Sequence, residues 1–282
     1  MTLNLKAAGT EWDAGDRSWT STDTILYALG VGAGTADPLG ELEFTTENSH
    51  GVDQKVLPTF AVMIGGNGTG QPRLGDFDLA QLLHAEQSVT LHGELPPSGT
   101  SRTSGRLAGF YDKGADALIV LESSSVDAAT GEPLAETRTT LFVRGEGGFG
   151  GERGSSEPWT PPNRPADHVV TCPTRTDQAL LYRLSGDRNP LHSDPWLAAR
   201  AGFDRPILHG LCTYGVTGRA LLHAVCDARP ASFGSMSARF SAPVLPGQPL
   251  DVHIWDHGGV FMFQTRVGDT VVLDRGVLTR KN

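Results

Sequence analysis

YRLSGDRNPLHSDPWLAARAGFDRPILHGLCTY, residues 182–214, carries the strongest local signals in the chain. Residues 185–190 are turn-rich, and Asn189 before Pro190 is steered away from helical backbone. Asp187 and His192 flank that turn, so a loop folded back on itself would bring a carboxyl and an imidazole to one point. Such a pair can share a water and move two protons. Asp194 is placed to cap a short helix that Pro195 opens and Gly202 closes. The next residues, PILHG at 206–210, lead into a run where Leu211, Tyr214, Gly218, Leu221, Leu222 and Val225 fall near a 3.6 period. This predicts a helix over 208–225, whose Gly210, Gly215 and Gly218 let other backbone approach closely. First-turn amides of a helix are unpaired and carry partial positive charge. Gly210 has no side chain to block a carbonyl there, which makes it a candidate oxyanion site for a thioester enolate.

Outward from this helix, strand-like runs follow at 237–244, 250–256, 260–267 and 270–279. Leu250, Val252 and Ile254 alternate with Asp251 and His253, as in a sheet with one covered face. The first half has a related layout. A helix is predicted over 20–29 with Ser21 or Thr22 as its cap, then strands at 88–95, 105–112, 117–126 and 134–143. Each half has a Pro-Gly break before a strand pair, LPPSG at 95–99 and VLPGQ at 244–248. The pattern predicts an α+β unit, one helix wrapped by an antiparallel sheet, present twice. Between the halves lies RGEGGFGGERGSSEPWTPPNRP, residues 144–165, rich in Gly, Ser and Pro. The expected division is an N-terminal domain at 1–145, a linker at 146–165 and a C-terminal domain at 166–282. Gly145, Gly147 and Gly150 spell GxGxxG, but more glycines and prolines follow instead of a helix, so a dinucleotide site is not expected.

Composition narrows the partners. The 282 residues are 38% hydrophobic and 20% charged, a foldable balance, and 35 Gly with 18 Pro suit many turns. Net charge is -9 and no Lys/Arg cluster stands out, which disfavours nucleic acid. Cys172, Cys212 and Cys226 are odd in number and irregularly spaced, arguing against a disulfide framework or a zinc site. No signal peptide and no membrane-length apolar run is read, so a cytoplasmic protein without a membrane partner is expected.

Residues 182–214 resemble the hydratase 2 motif of the MaoC-like (R)-specific 2-enoyl-CoA hydratases, a branch of the hot-dog superfamily. The whole layout is similar to the long, two-hot-dog form of that family. The resemblance implies two hot-dog domains, the C-terminal one catalytic. It carries the catalytic pair onto Asp187 and His192, the intervening Asn onto Asn189, and the thioester-binding amide onto Gly210. YALGVGAG at 27–34, VLPTF at 56–60 and LLHAEQ at 82–87 resemble the family's non-catalytic half, which accommodates the acyl chain. Consistent with that, no second SGDxNPxH occurs there. The implied activity is reversible addition of water to trans-2-enoyl-CoA, giving the (3R)-hydroxyacyl-CoA. Coenzyme A would be part of the substrate, with no metal or redox cofactor, and the chain is expected to be a homodimer.

Other readings stay open. The same residues would serve a (3R)-hydroxyacyl dehydratase working on acyl carrier protein, and a non-catalytic acyl-thioester-binding protein would share the fold. His209 reads as a structural or substrate-side histidine, and His84 as either core packing or acyl-pocket lining. Cys212 lacks a base at an activating spacing and reads as packing; His253 and His257 read as solvated. Finally, the segment 56–64 contains Pro58 and runs into Gly65, Gly66 and Gly68, so the first-half helix should be short. A void beside Ala61 is therefore expected, as a tunnel for a long or bulky acyl group.

Overall fold

A computed structural model describes residues 2–65, 69–78, 81–154 and 158–281. The glycines at 66 and 68 that were expected to stop the first-half helix lie outside the described residues.

The first half contributes β1 (Thr2–Leu3), β2 (Glu11–Trp19), β3 (Gly75–Asp76), β4 (Leu82–Leu91), β5 (Gly99–Asp112), β6 (Ala117–Asp127) and β7 (Pro133–Val143). The second contributes β8 (His168–Cys172), β9 (Phe233–Phe240), β10 (Leu250–His257), β11 (Val260–Val267) and β12 (Thr270–Arg280). β1 and β3 form a small pair, and the other ten make one sheet in the order β2-β5-β6-β7-β4-β9-β12-β11-β10-β8. Every pairing is antiparallel.

The order exposes the internal repeat. Leaving out β1 and β3, and counting the five strands that each half gives to this sheet from its edge to its centre, each half runs first, third, fourth, fifth, second strand. The two copies meet where β4 pairs with β9, with Glu86 opposite Arg239 and Ser88 opposite Ser237. These are two hot-dog units fused into one continuous sheet, as the duplicated layout predicted. Residues 144–165 contain no strand or helix among those described, and none of them is buried. Of the GxGxxG glycines, Gly150 donates its amide to the Asp112 carboxylate at the end of β5, Gly145 to the Asp116 carboxylate and Gly147 to the Ala115 carbonyl, so the motif is tied to the turn after β5 and opens no helix.

The helices are α1 (Ser21–Gly30), α2 (Leu42–Thr45), α3 (Gln178–Tyr182), α4 (Pro195–Arg200) and α5 (Gly210–Val225). The cap of α1 is Thr20, one residue before the expected Ser21 or Thr22. Thr20 accepts from the Asp23 amide, and the Asp23 carboxylate accepts from the Thr20 amide at 2.7 Å, a reciprocal capping box. α5 is the wrapped helix of the second half; eleven of its sixteen residues are buried. It starts at Gly210 rather than 208, because Leu208 is held out by donating its amide to the Val244 carbonyl. The local alternation missed β2 and β8, the two edge strands, and placed β4 and β9 several residues late. Both errors fall where polar residues face inward or one strand face has little core to mark it.

In the first half the wrapped position holds only a single 3-10 stretch, Pro58–Met63. That brevity was expected, but among the described residues no void opens beside Ala61, and this corrects the reading. Ala61 is wholly buried, and the Phe60 ring packs edge-on against Tyr27 at 5.5 Å and Trp19 at 6.2 Å. A Cβ on Gly218 would lie 2.4 Å from Thr59 Cγ2, so α5 closes onto the short turn through its glycine. The short helix has drawn its partner helix in, instead of leaving space.

The main core spans both halves, while Ala7, Leu107, Phe110, Ile119 and Val143 form a second cluster at the far end of the first. Between the two, the inward face of β4 to β7 carries Gln87, Ser101, Thr103, Ser123, Ser125, Thr137 and Thr139. Ser101 and Thr103 donate to the Ile64 carbonyl and hold the end of the 3-10 stretch on the sheet.

Candidate active site

The loop between α3 and α4 is built by successive side-chain turns. Gly186 adopts φ 137°, where a side chain would be strained, and a Cβ there would also press on Met63 at 3.3 Å and Arg17 at 3.4 Å. The Asp187 carboxylate accepts from the Asn189 amide at 3.1 Å, and Asn189 Oδ1 accepts from the Leu191 amide at 3.0 Å. Pro190 then opens the one-turn 3-10 stretch Pro190–His192. Asn189 thus spends its oxygen on the loop. Asp194 caps α4 through the Trp196 amide at 2.9 Å.

The structure brings Asp187, His192 and His209 together: one nitrogen or carboxylate oxygen from each lies within 4.8 Å of the others. His192 is buried, and its Nδ1 lies 2.9 Å from the Ile207 carbonyl. A carbonyl can only accept, so Nδ1 carries the proton and Nε2 presents a free lone pair. Burial pushes the His192 pKa below its usual value, opposed by the Ile207 bond and the Asp187 charge. His209 Nε2–H reaches the Asp187 backbone carbonyl at 3.3 Å, while its Nδ1 is buried without a partner among the described residues. Burial first, and the neighbouring His192 second, push His209 down to about 4, so it is neutral near pH 7. The two imidazoles stack with centroids 3.8 Å apart and planes 29° from parallel. Stacked rings send their in-plane lone pairs side by side, whereas a metal ion needs ligand lone pairs that converge. The trio suits proton handling better than metal ligation.

Gly210 is the first residue of α5, where helix amides lack intrahelical acceptors. A Cβ at Gly210 would sit 3.1 Å from the Phe240 ring, which floors this position. His84 backs that ring edge-on at 4.7 Å, so the structure draws His84 from the first half into the site. Burial pushes His84 down to about 4, against the Glu86 carbonyl, Gln87 and the Asp187 charge, each of which raises it. Cys212 is buried and donates its thiol to the Gly30 carbonyl at 3.3 Å, which fits packing rather than attack. Sequence reasoning missed Phe240, the Ile207 carbonyl, Tyr182 (ring 5.0 Å from His209), and Arg17 with Met63 from the first half. None carries a local pattern; only the fold brings them near the loop.

With this geometry in place, residues 158–276 match the family described as MaoC like domain, and residues 18–145 match MFE-2 hydratase 2 N-terminal domain. The chain is 49% identical over 272 residues to 3-hydroxyacyl-thioester dehydratase Y of Mycobacterium tuberculosis, covering 92% of each. It is 42% identical over 266 residues to enoyl-CoA hydratase ChsH3 of the same organism, covering 92% of this chain and 91% of that protein. Among solved structures, a MaoC-like dehydratase from Phytophthora capsici superposes with a TM-score of 0.88 at 30% identity, over 100% of this chain and 98% of that one.

Proposed function

The chain belongs to the MaoC-like hydratase 2 family, and from that premise we propose that it hydrates trans-2-enoyl-CoA to (3R)-hydroxyacyl-CoA at Asp187, His192 and Gly210. The observation that carries the reading is the unspent His192 Nε2 beside the Asp187 carboxyl, at the start of the helix that offers the Gly210 amide. Water attacks the β-carbon as His192 Nε2 takes one of its protons. The electron pair of the double bond moves to the thioester oxygen, where the Gly210 amide stabilises the enolate. Asp187 orients the water as a carboxylate; the proton taken by His192 passes to Asp187, which delivers it to the α-carbon, so both groups return to their starting states. Asn189 keeps the loop in shape, and His84 and His209 line the site. In this proposal the second half, 166–282, is the catalytic domain, and the first, 1–145, receives the acyl chain.

No helix of the described residues is long and apolar enough to cross a membrane. A homodimer in the cytoplasm, needing no metal or redox cofactor, completes the proposal. The relative named as a dehydratase supports the same residues running in reverse on a (3R)-hydroxyacyl thioester. The test is a hydration assay over enoyl-CoAs of graded size with chiral analysis. The (3R) product is expected; formation of (3S) product, or no hydration of any substrate, overturns the proposal.

A further inference from the structure

A coenzyme A thioester brings more than an acyl group to its enzyme. Behind the sulfur runs a flexible arm that ends in a polyphosphorylated adenine nucleotide. The chain is acidic, with a net charge of -9, so that polyanion needs a local surface of the opposite sign. Such a surface lies along the catalytic loop and α4. Arg188, Arg200 and Arg205 are exposed, and none is in a hydrogen bond or ion pair with a described residue. Nine arginines elsewhere in the chain do pair with carboxylates, so these three depart from the usual pattern here.

The nearby carboxylates do not cancel them. Asp187 belongs to the reacting pair, and Asp194 spends an oxygen on the Trp196 amide, which leaves Asp204 as the exposed acid of residues 183–205. Trp196, in the first turn of α4, is 65% exposed, and the Arg200 guanidinium one turn later lies over its ring, 4.8 Å from the centroid. An open indole with a planar cation stacked on it is a platform for a nucleobase. Its place is fixed relative to the reacting groups. Arg188 follows Asp187, α4 starts three residues after His192, and Arg205 lies two residues before Ile207, whose carbonyl holds His192. The six residues of α4 extend about 9 Å, so the platform is within reach of a tail that leaves a thioester at Gly210. An acidic carrier protein would answer the arginines but has no flat base for the stacked pair, which favours the nucleotide.

Resting on the proposed hydratase reading, we infer that Trp196 and Arg200 stack on the adenine of coenzyme A, with Arg188 and Arg205 on its phosphates. Guanidinium groups suit this task, since their fork of donors matches phosphate oxygens and their plane matches a base.

The experiment compares, on the intact protein, hydration of crotonyl-CoA, of crotonyl-pantetheine, which has the arm without the nucleotide, and of a crotonyl-acyl carrier protein. Trp196→Ala with Arg200→Gln should raise KM for crotonyl-CoA about tenfold or more, as expected for loss of a base-stacking ring, with kcat held. Crotonyl-pantetheine should change less than about twofold, because only binding of the nucleotide has been removed. Arg200→Lys, which keeps the charge but not the plane, should fall between wild type and Arg200→Gln. Arg205→Gln should raise KM for crotonyl-CoA and lessen its further rise with salt. Equal losses on crotonyl-CoA and crotonyl-pantetheine, or an unchanged KM for crotonyl-CoA, overturns the inference. A loss confined to the carrier-protein substrate also overturns it and assigns the arginines to an acidic protein. If wild type hydrates none of the three, the hydratase reading itself has failed. Calorimetry with free coenzyme A then decides the inference alone: weaker binding by the double variant than by wild type supports it, and no binding by wild type, or equal binding by both, overturns it.

Discussion

His192 and His209 lie face to face, ring centroids 3.8 Å apart, and each is anchored by one nitrogen to a backbone carbonyl, Ile207 and Asp187 respectively. His209 therefore holds both members of the reacting pair: Asp187 by its backbone and His192 by its ring. His209→Asn keeps a donor for the Asp187 carbonyl but removes the ring. We expect kcat to fall ~10–100-fold through misplacement, with KM less affected. Water should then reach His192, and the acid limb of the pH–rate profile should move up toward the ordinary value of 6.5. A lower kcat with an unmoved limb would reduce His209 to a packing residue.

Asp187→Ala and His192→Ala should each lower turnover by about 10²–10⁴ with folding retained. Because the two groups act in one transition state, the double variant should be little worse than either single. Near-normal turnover in either single variant would be incompatible with the proposed mechanism.

Gly210→Ala tests the floor under the thioester. The new methyl would meet the Phe240 ring at 3.1 Å, and His84 stands behind that ring. The amide survives, so the loss in kcat should be about tenfold, short of the 10²–10³ that accompanies loss of an oxyanion donor. Adding Phe240→Leu should recover part of it. Full activity in Gly210→Ala alone would show that the ring yields freely.

Acid should destabilise the fold through its buried histidines. His84 and His209 are both pushed by burial from 6.5 to about 4. Above 6.5 neither state binds the proton. Between 6.5 and about 4 the unfolded chain takes up protons that the native site refuses, so stability is lost as pH falls through that window. The midpoint of thermal unfolding should drop by several degrees from pH 7 to pH 4.5, and His84→Gln with His209→Asn should flatten the drop.

Glu41 provides a second, more acidic window. Burial alone would raise its carboxyl, but the His223 bond, the Arg219 charge and the Gly34 amide outweigh that and hold it at about 2. Its contribution is present above 4.5 and is lost as pH falls toward about 2. Glu41 follows the first-half helix α1, whereas Arg219 and His223 belong to α5, so the cluster ties the halves together. Glu41→Gln should cost about 2–3 kcal/mol at pH 7 in denaturant unfolding, since both carboxylate and guanidinium are largely buried. A change within error would mean that solvent replaces the lost partners.

What the sequence made legible was chemistry carried by short-range spacing. The turn around Asn189 and Pro190, the Asp194 cap and the glycines of α5 are local signals, and each lies within a few residues of its predicted place. The sheet order was not legible, because a strand partner far away in sequence leaves no trace in local alternation. Nor was the filling of the space beside Ala61, which depends on how closely Gly218 lets α5 approach. His84 could be narrowed only to packing or pocket, since its neighbour Phe240 lies on the other side of the central pairing.

The pairing of β4 with β9 joins two copies of one strand order within a single chain. In an assembly of identical subunits every substitution appears twice, once on each side of the symmetry axis. Here the copies can diverge independently. One has kept the loop with Asp187 and His192; the other has shortened its wrapped helix to Pro58–Met63 and lends His84 and Arg17 to its sibling's loop. Covalent fusion has released the duplicated fold from the obligation to be symmetric, so that one site can have two unlike walls.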